Sequence, residues 1–193
     1  MKRIFVCALV LVGLGSSASI GHAPTAPHLD ISTKLINTPD SNWNVYGPDQ
    51  TSKRLPTGGP HNYPAVEVVV KKPGKNAWDT GAVSQIPHAI AAGDVILVAV
   101  YLRNPGLADG ASETLPLIGA TGASPPYVAI AGAPAKITNQ WAAYFASGKA
   151  PQAFAANGVQ ATVHLASAGH TVQLGPIKVY DFGPDFDINR LPH

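Results

Sequence analysis

Five side chains in this sequence could grip a molecule rich in hydroxyls or carboxylates: Glu67, Tyr101, Arg103, Gln160 and His164. A guanidinium is a planar fork of donors, a carboxylate accepts in pairs, an imidazole does either, and an aromatic ring offers an apolar face. The rings available for stacking are Trp43, Trp78, Trp141, Tyr63, Tyr101 and Tyr127. Such a set suits recognition better than bond cleavage. No Gly-x-Ser-x-Gly pentapeptide and no His-Glu-x-x-His occurs, and Ser147-Gly148-Lys149 lacks the rest of a phosphate loop. Glu67, Asp79, Asp94 and Glu113 remain as carboxylates that would have to converge in space for acid–base hydrolysis. The sequence therefore assigns no catalytic residue and no metal ligand.

The elements that must position these residues read as strands. Leu29 to Ile36, Tyr63 to Lys72, Asp94 to Asn104, Tyr127 to Ala131, Gln140 to Ala146, Val159 to Ala166 and Thr171 to Asp181 are rich in Val, Ile, Tyr or Phe. Gly, Pro, Asn or Ser bounds each run. No helical period lasts three turns, although residues 150–156 could form one turn. Many short strands in one domain predict an all-β sandwich or jelly roll.

Alternation then sorts the side chains into faces. Ile96, Val98, Val100 and Leu102 suit a core, leaving Leu97, Ala99, Tyr101 and Arg103 opposite. Val66, Val68 and Val70 oppose Glu67, and Val159, Ala161 and Val163 oppose Gln160, Thr162 and His164. If these strands share one sheet, Glu67, Tyr101, Arg103, Gln160 and His164 form a single polar surface. Trp78, in the loop between Asn76 and Asp79, is expected at its rim. Asp94, between Gly93 and a strand, reads as a turn former.

Composition bounds the class. With 193 residues, 46% hydrophobic and 12% charged, the chain can bury one core and is not generally disordered. A net charge of +2 without a basic cluster argues against a nucleic-acid partner. Lys2 and Arg3 followed by the apolar run Ile4 to Leu14 and small residues predict a secretory signal peptide over 1–23, with a linker over 24–28. The run is shorter than the roughly 20 residues that cross a bilayer, and no later segment would span one. A secreted or periplasmic protein follows. The single Cys7 lies in the leader, so the mature chain would hold neither a disulfide nor a cysteine metal site.

Several stretches carry a family resemblance. Gly74-Lys75-Asn76-Ala77-Trp78-Asp79, Ile90-Ala91-Ala92-Gly93-Asp94 and Tyr101-Leu102-Arg103 are, in that order, similar to carbohydrate-binding modules of the CenC type. These are the galactose-binding-like jelly rolls of families four, nine and twenty-two, often attached to xylanases. Gln140-Trp141, Ala161-Thr162-Val163-His164-Leu165 and Leu174-Gly175-Pro176-Ile177-Lys178-Val179 look like their closing strands, and the end Asp181-Phe182-Gly183-Pro184-Asp185-Phe186-Asp187 most resembles an exported bacterial subgroup. The resemblance covers Leu29 to Pro192. It implies a jelly-roll domain over 29–183, a tail over 184–193, and a polysaccharide or oligosaccharide ligand. Many relatives hold a structural calcium ion through a carboxylate in the final strand. Here Gly175-Pro176 stands at that place, which leaves Asp181, Asp185 and Asp187 as the oxygen donors a calcium ion would need.

The resulting expectation is an exported, non-catalytic carbohydrate-binding protein with Glu67, Trp78, Tyr101, Arg103, Tyr127, Gln160 and His164 at the ligand. Two alternatives stand beside it. A jelly-roll polysaccharide lyase would use Tyr101, Arg103, Gln160 and His164 on one sheet to neutralise a uronate and move the C5 proton. A cell-envelope structural or assembly protein would bind a partner, an enzyme or an envelope component, and no sugar.

Overall fold

Alternating β-branched and polar residues cannot bury both faces of a strand, so each must lay one face on another sheet. The computed structural model describes residues 31–192, so the expected signal peptide and linker lie outside the described residues. The described strands are β1 (Asn44–Tyr46), β2 (Gln50–Leu55), β3 (Ala65–Val70), β4 (Gly81–Ile86), β5 (Val95–Arg103), β6 (Glu113–Gly122), β7 (Ala129–Ile137), β8 (Ala142–Lys149), β9 (Val159–His164) and β10 (His170–Asp181). They form two five-stranded sheets. Sheet I has the order β1-β4-β9-β6-β7 and sheet II the order β2-β3-β10-β5-β8. Every pairing is antiparallel. The architecture is an all-β jelly-roll sandwich, as the pattern predicts.

The core lies between the sheets. Val66, Val68 and Val70 of β3, Ile96 to Leu102 in alternate positions on β5, and Val172, Leu174, Ile177 and Val179 of β10 come from sheet II. Ala82 and Ile86 of β4, Leu115, Ile118 and Ala120 of β6, and Val159, Ala161 and Val163 of β9 face them. Each such branched side chain contributes about 1.5–3 kcal/mol of burial. Trp43 is also buried, its indole N–H donating to the Gly175 carbonyl at 2.9 Å.

A second apolar layer covers part of the outside of sheet II. Val95, Leu97, Ala99 and Tyr180 pack beneath Phe182 and Leu191, with Ile31, Leu35, Phe186 and Ile188 against them. The outer side of β5 is therefore sealed at Leu97 and Ala99 and open only towards Tyr101 and Arg103. Residues 184–192, read as part of a tail, lie on the sandwich through Phe186, Ile188 and Leu191 of this layer.

Several local expectations change. Leu29 to Ile36 is not a strand within the described residues: Ser32–Lys34 is a 3-10 turn and Leu35 makes a single bridge to Tyr180. The Asn37 amide takes over the ladder there, accepting from Val179 N at 2.7 Å and donating to Ile177 O at 3.1 Å. Residues 150–156 form no helix, because Phe154 bridges Ile90 through both backbone bonds. The strands missed by pattern are β1, β2, β4 and β6. β1 has three residues, β2 is a polar edge strand, and β6 is interrupted by Pro116 at a register shift between Leu115 and Ile118. Among the described residues no helix is long and apolar enough to cross a membrane.

Candidate functional site

The register of sheet I writes rows of side chains across its outer face. Tyr46 pairs with Gly81, which pairs with His164; Asn44 pairs with Val83, which pairs with Thr162. Gln85 pairs with Gln160, which pairs with Thr121, which pairs with Ala129. Most of these residues, with Trp78, Leu117, Ala123 and Tyr127, line a cleft of ≈ 720 Å³. Gly81 is what lets the Tyr46 ring lie across the sheet, since a Cβ there would come within 2.6 Å of the phenol oxygen. Among the described residues no Asp, Glu, Lys or Arg lines this cleft. A second, polar cavity of ≈ 590 Å³ shares Asn44, Val83 and Gln160 with it and continues to Asn42, Asp40 and Asn157. Together they make one trough across β1, β4 and β9.

Two rings stand at its rims: Trp78 is 58% exposed and Tyr127 54%. Trp78 sits in the turn after β3 that Asp79 locks. The Asp79 carboxylate accepts from Asn76 N at 2.9 Å and from the Asn76 side-chain amide at 3.2 Å, and these donors hold it below the usual carboxylate range. The chain is tied down on either side by Gly74 N to Ala166 O and Ala166 N to Ala77 O. Tyr127 takes a left-handed backbone (φ 52°) while its N–H donates to Ser124 O at 2.8 Å. A non-glycine residue there carries backbone strain, which is characteristic of positions kept for a purpose other than stability.

Titration in the cleft follows burial. Desolvation pushes the Tyr46 phenol up; its hydrogen bond with the Thr162 hydroxyl opposes this and the nearby Tyr127 adds to it. Desolvation pushes the His164 imidazole below its ordinary value, so the ring is neutral at pH 7. His164 meets Trp78 edge-on, with centroids 6.3 Å apart and planes at 62°. The floor is thus a neutral imidazole, a carboxamide and hydroxyls between aromatic walls, a combination that offers paired donors and acceptors without charge.

The single polar surface expected from the sequence does not exist. Trp78, Tyr127, Gln160 and His164 gather at the sheet I cleft, whereas Glu67, Tyr101 and Arg103 belong to sheet II. Alternation tells which face of a strand is polar but not which sheet the strand joins; here β9 joins β4 and β6, while β5 joins β10 and β8. On sheet II the polar residues satisfy one another. Arg103 Nε donates to Gln173 Oε1 at 2.7 Å, Gln173 Nε2 donates to Glu67 Oε2 at 2.7 Å, and the guanidinium lies 4.9 Å over the Trp141 ring. Lys53 stands opposite Glu67 in register, completing a row across the sheet. The separation also dissolves the lyase arrangement, which needs Tyr101 and Arg103 beside Gln160 and His164.

Tyr46, Leu117 and Thr121 are cleft residues that sequence reasoning missed. β1 is too short to register as a strand, and the proline-containing β6 hid the other two. Thr162 was visible, since it alternates between Gln160 and His164. Several of the oxygens that a calcium ion at the final strand would use already accept hydrogen bonds. Gly175 has its carbonyl on Trp43, Asp187 accepts from Asn189 N and Nδ2, and Asp181 accepts from Gly183 N. Among the described residues no three His, Cys, Asp or Glu side chains converge on a metal-sized site.

No protein-family model and no curated protein matches the chain. Solved structures do. The second N-terminal cellulose-binding domain of Cellulomonas fimi β-1,4-glucanase C superposes with a TM-score of 0.55 at 17% identity, covering 77% of this chain and 94% of that one. The chain has the jelly-roll fold of a carbohydrate-binding module. The C-terminal family 22 carbohydrate-binding module of Clostridium thermocellum xylanase 10B matches with a TM-score of 0.53 at 12% identity, over 81% of this chain and 98% of that one. The two-module piece of the same xylanase, a family 22 module and its catalytic module complexed with xylohexaose, matches with a TM-score of 0.56 at 15% identity. There the match covers 77% of this chain and 29% of the other, so this chain spans under a third of that protein.

Proposed function

We propose that this protein binds carbohydrate without transforming it, and that the glycan lies in the sheet I trough between Trp78 and Tyr127. The observation that carries the reading is the cleft itself: two exposed rings flank an uncharged floor of Gln160, Thr162 and His164. A sugar ring has apolar C–H faces, which aromatic rings cover, and a rim of hydroxyls, which carboxamide, hydroxyl and imidazole groups bond. The shared fold with a cellulose-binding domain and with a family 22 module supports it. Arg103, Glu67 and Tyr101 lie on sheet II, outside this trough, where Gln173 links Arg103 to Glu67. The leader over 1–23 supports export to the periplasm or beyond, with partner enzymes or envelope components within reach there.

Affinity electrophoresis tests the function. The purified protein should be retarded in native gels containing at least one soluble neutral polysaccharide, such as xylan, mixed-linkage β-glucan or glucomannan. The polymer should show no new reducing ends and no absorbance from unsaturated uronates. Unchanged mobility in all three gels, or release of either product, refutes the proposal. N-terminal sequencing of the exported protein tests removal of the leader.

A further inference from the structure

The cleft is not uniform along its length, and the difference is built into β6. Leu115 and Ile118 both face the core, although three residues apart they would point to opposite sides of a regular strand. A bulge between them restores the core register and sets Leu117 on the cleft side. Opposite it, Gly132 leaves the space that Leu117 occupies: a Cβ at Gly132 would lie 2.9 Å from Leu117 Cδ1. Ala123 and Ala129 complete this end with methyl groups, and Tyr127 stands over it. The other end of the trough carries Asn42, Asn44, Asn157 and Asp40.

A free sugar hydroxyl placed among Leu117, Ala123 and Ala129 would face their methyl groups, with the hydroxyls of Thr121 and Tyr127 as the polar side chains at this end. A buried polar group without a partner is disfavoured, whereas a methyl group there is favoured. A charged substituent in this hollow would meet no opposite charge among the described residues that line the cleft, since Asp40 lies at the other end of the trough. We infer that the Leu117–Ala129 hollow receives the acetyl group of an acetylated, uncharged sugar residue, with the rest of the chain lying towards Gln160 and Asn44. This inference rests on the trough being the glycan site and names the class of glycan it selects. An O-ester and an N-amide present the same methyl and carbonyl, and the test separates them.

Two matched pairs, titrated by calorimetry, test it. The first is O-acetylated xylan against the same xylan after mild alkaline deacetylation; the second is hexa-N-acetylchitohexaose against cellohexaose. The expected result is at least fivefold tighter binding of the acetylated member in one pair, the xylan pair assigning the ester and the hexaose pair the amide. Ala129→Leu, which fills the hollow from an exposed edge-strand position, should reduce that ratio below twofold while its melting temperature confirms a folded domain. Equal affinity within both pairs overturns the acetyl inference and leaves the glycan reading standing. No binding to any of the four overturns both.

Discussion

Replacing Trp78 by alanine separates binding from folding more cleanly than any other change in the trough. The ring is 58% exposed, and among the described residues its ring contact is the edge of His164. A tryptophan buries up to about 250 Å² when fully covered. With 58% of that free and roughly half of the free area covered by a stacked sugar, about 70 Å² at about 25 cal/mol per Å² yields about 1.8 kcal/mol. That corresponds to roughly a twentyfold weaker dissociation constant. Folding should lose little, because the turn is held by Asp79 on Asn76 and by backbone bonds to Ala166 rather than by the indole. The assay is affinity electrophoresis at several concentrations of the retaining polymer, with melting followed in parallel. Undiminished retardation of Trp78→Ala would refute the stacking argument, and a large drop in melting temperature would show that the ring is a structural anchor instead.

Arg103→Ala should leave retention unchanged and lower stability, because the variant removes the bond to Gln173 and the stack on Trp141. A cost of about 1.5 kcal/mol, or roughly 3 °C in melting for a domain of this size, is expected by differential scanning calorimetry. His164 should titrate by NMR with a midpoint below the ordinary imidazole value of 6.5. Its folded-state pKa lies below its unfolded one, so its contribution is complete above about pH 6.5 and is lost as pH falls through the folded value. The decline should be absent in His164→Gln. Asp181 shows the opposite sign. Burial first, and then the Asp94 carboxyl, raise it above the ordinary 3.8. Its contribution is complete below that value and is lost as pH rises through the folded pKa. Asp181→Asn keeps an oxygen for Gly183 N and removes the repulsion, so thermal melting at pH 7 should rise.

The all-β class and most of the core were legible in the residue pattern. Alternation in 66–70, 95–103 and 159–164 marks the side chains that face the opposite sheet, because the pleat sends successive residues to opposite sides; it does not show that Leu97 and Ala99, on the other side of β5, are buried as well, beneath Phe182 and Leu191. Asp94 was legible as a turn former, and it accepts from Ala91 N at 2.7 Å. Trp78 was legible as a loop ring between Asn76 and Asp79. Gln160 and His164 were legible as neighbours on one face. Sheet membership was not legible. A polar face has the same pattern whether the strand joins β4 or β10, and only the packed tertiary structure distributes the strands between the two sheets. That distribution separated Arg103 from His164 and gave Arg103 to Gln173 and Trp141. It also brought Tyr46, from a strand of three residues, across Gly81 to the Thr162 hydroxyl. Local pattern sets the two faces of each strand, whereas the trough depends on long-range pairing, up to the 83 residues that separate Gly81 from His164, which no local pattern encodes.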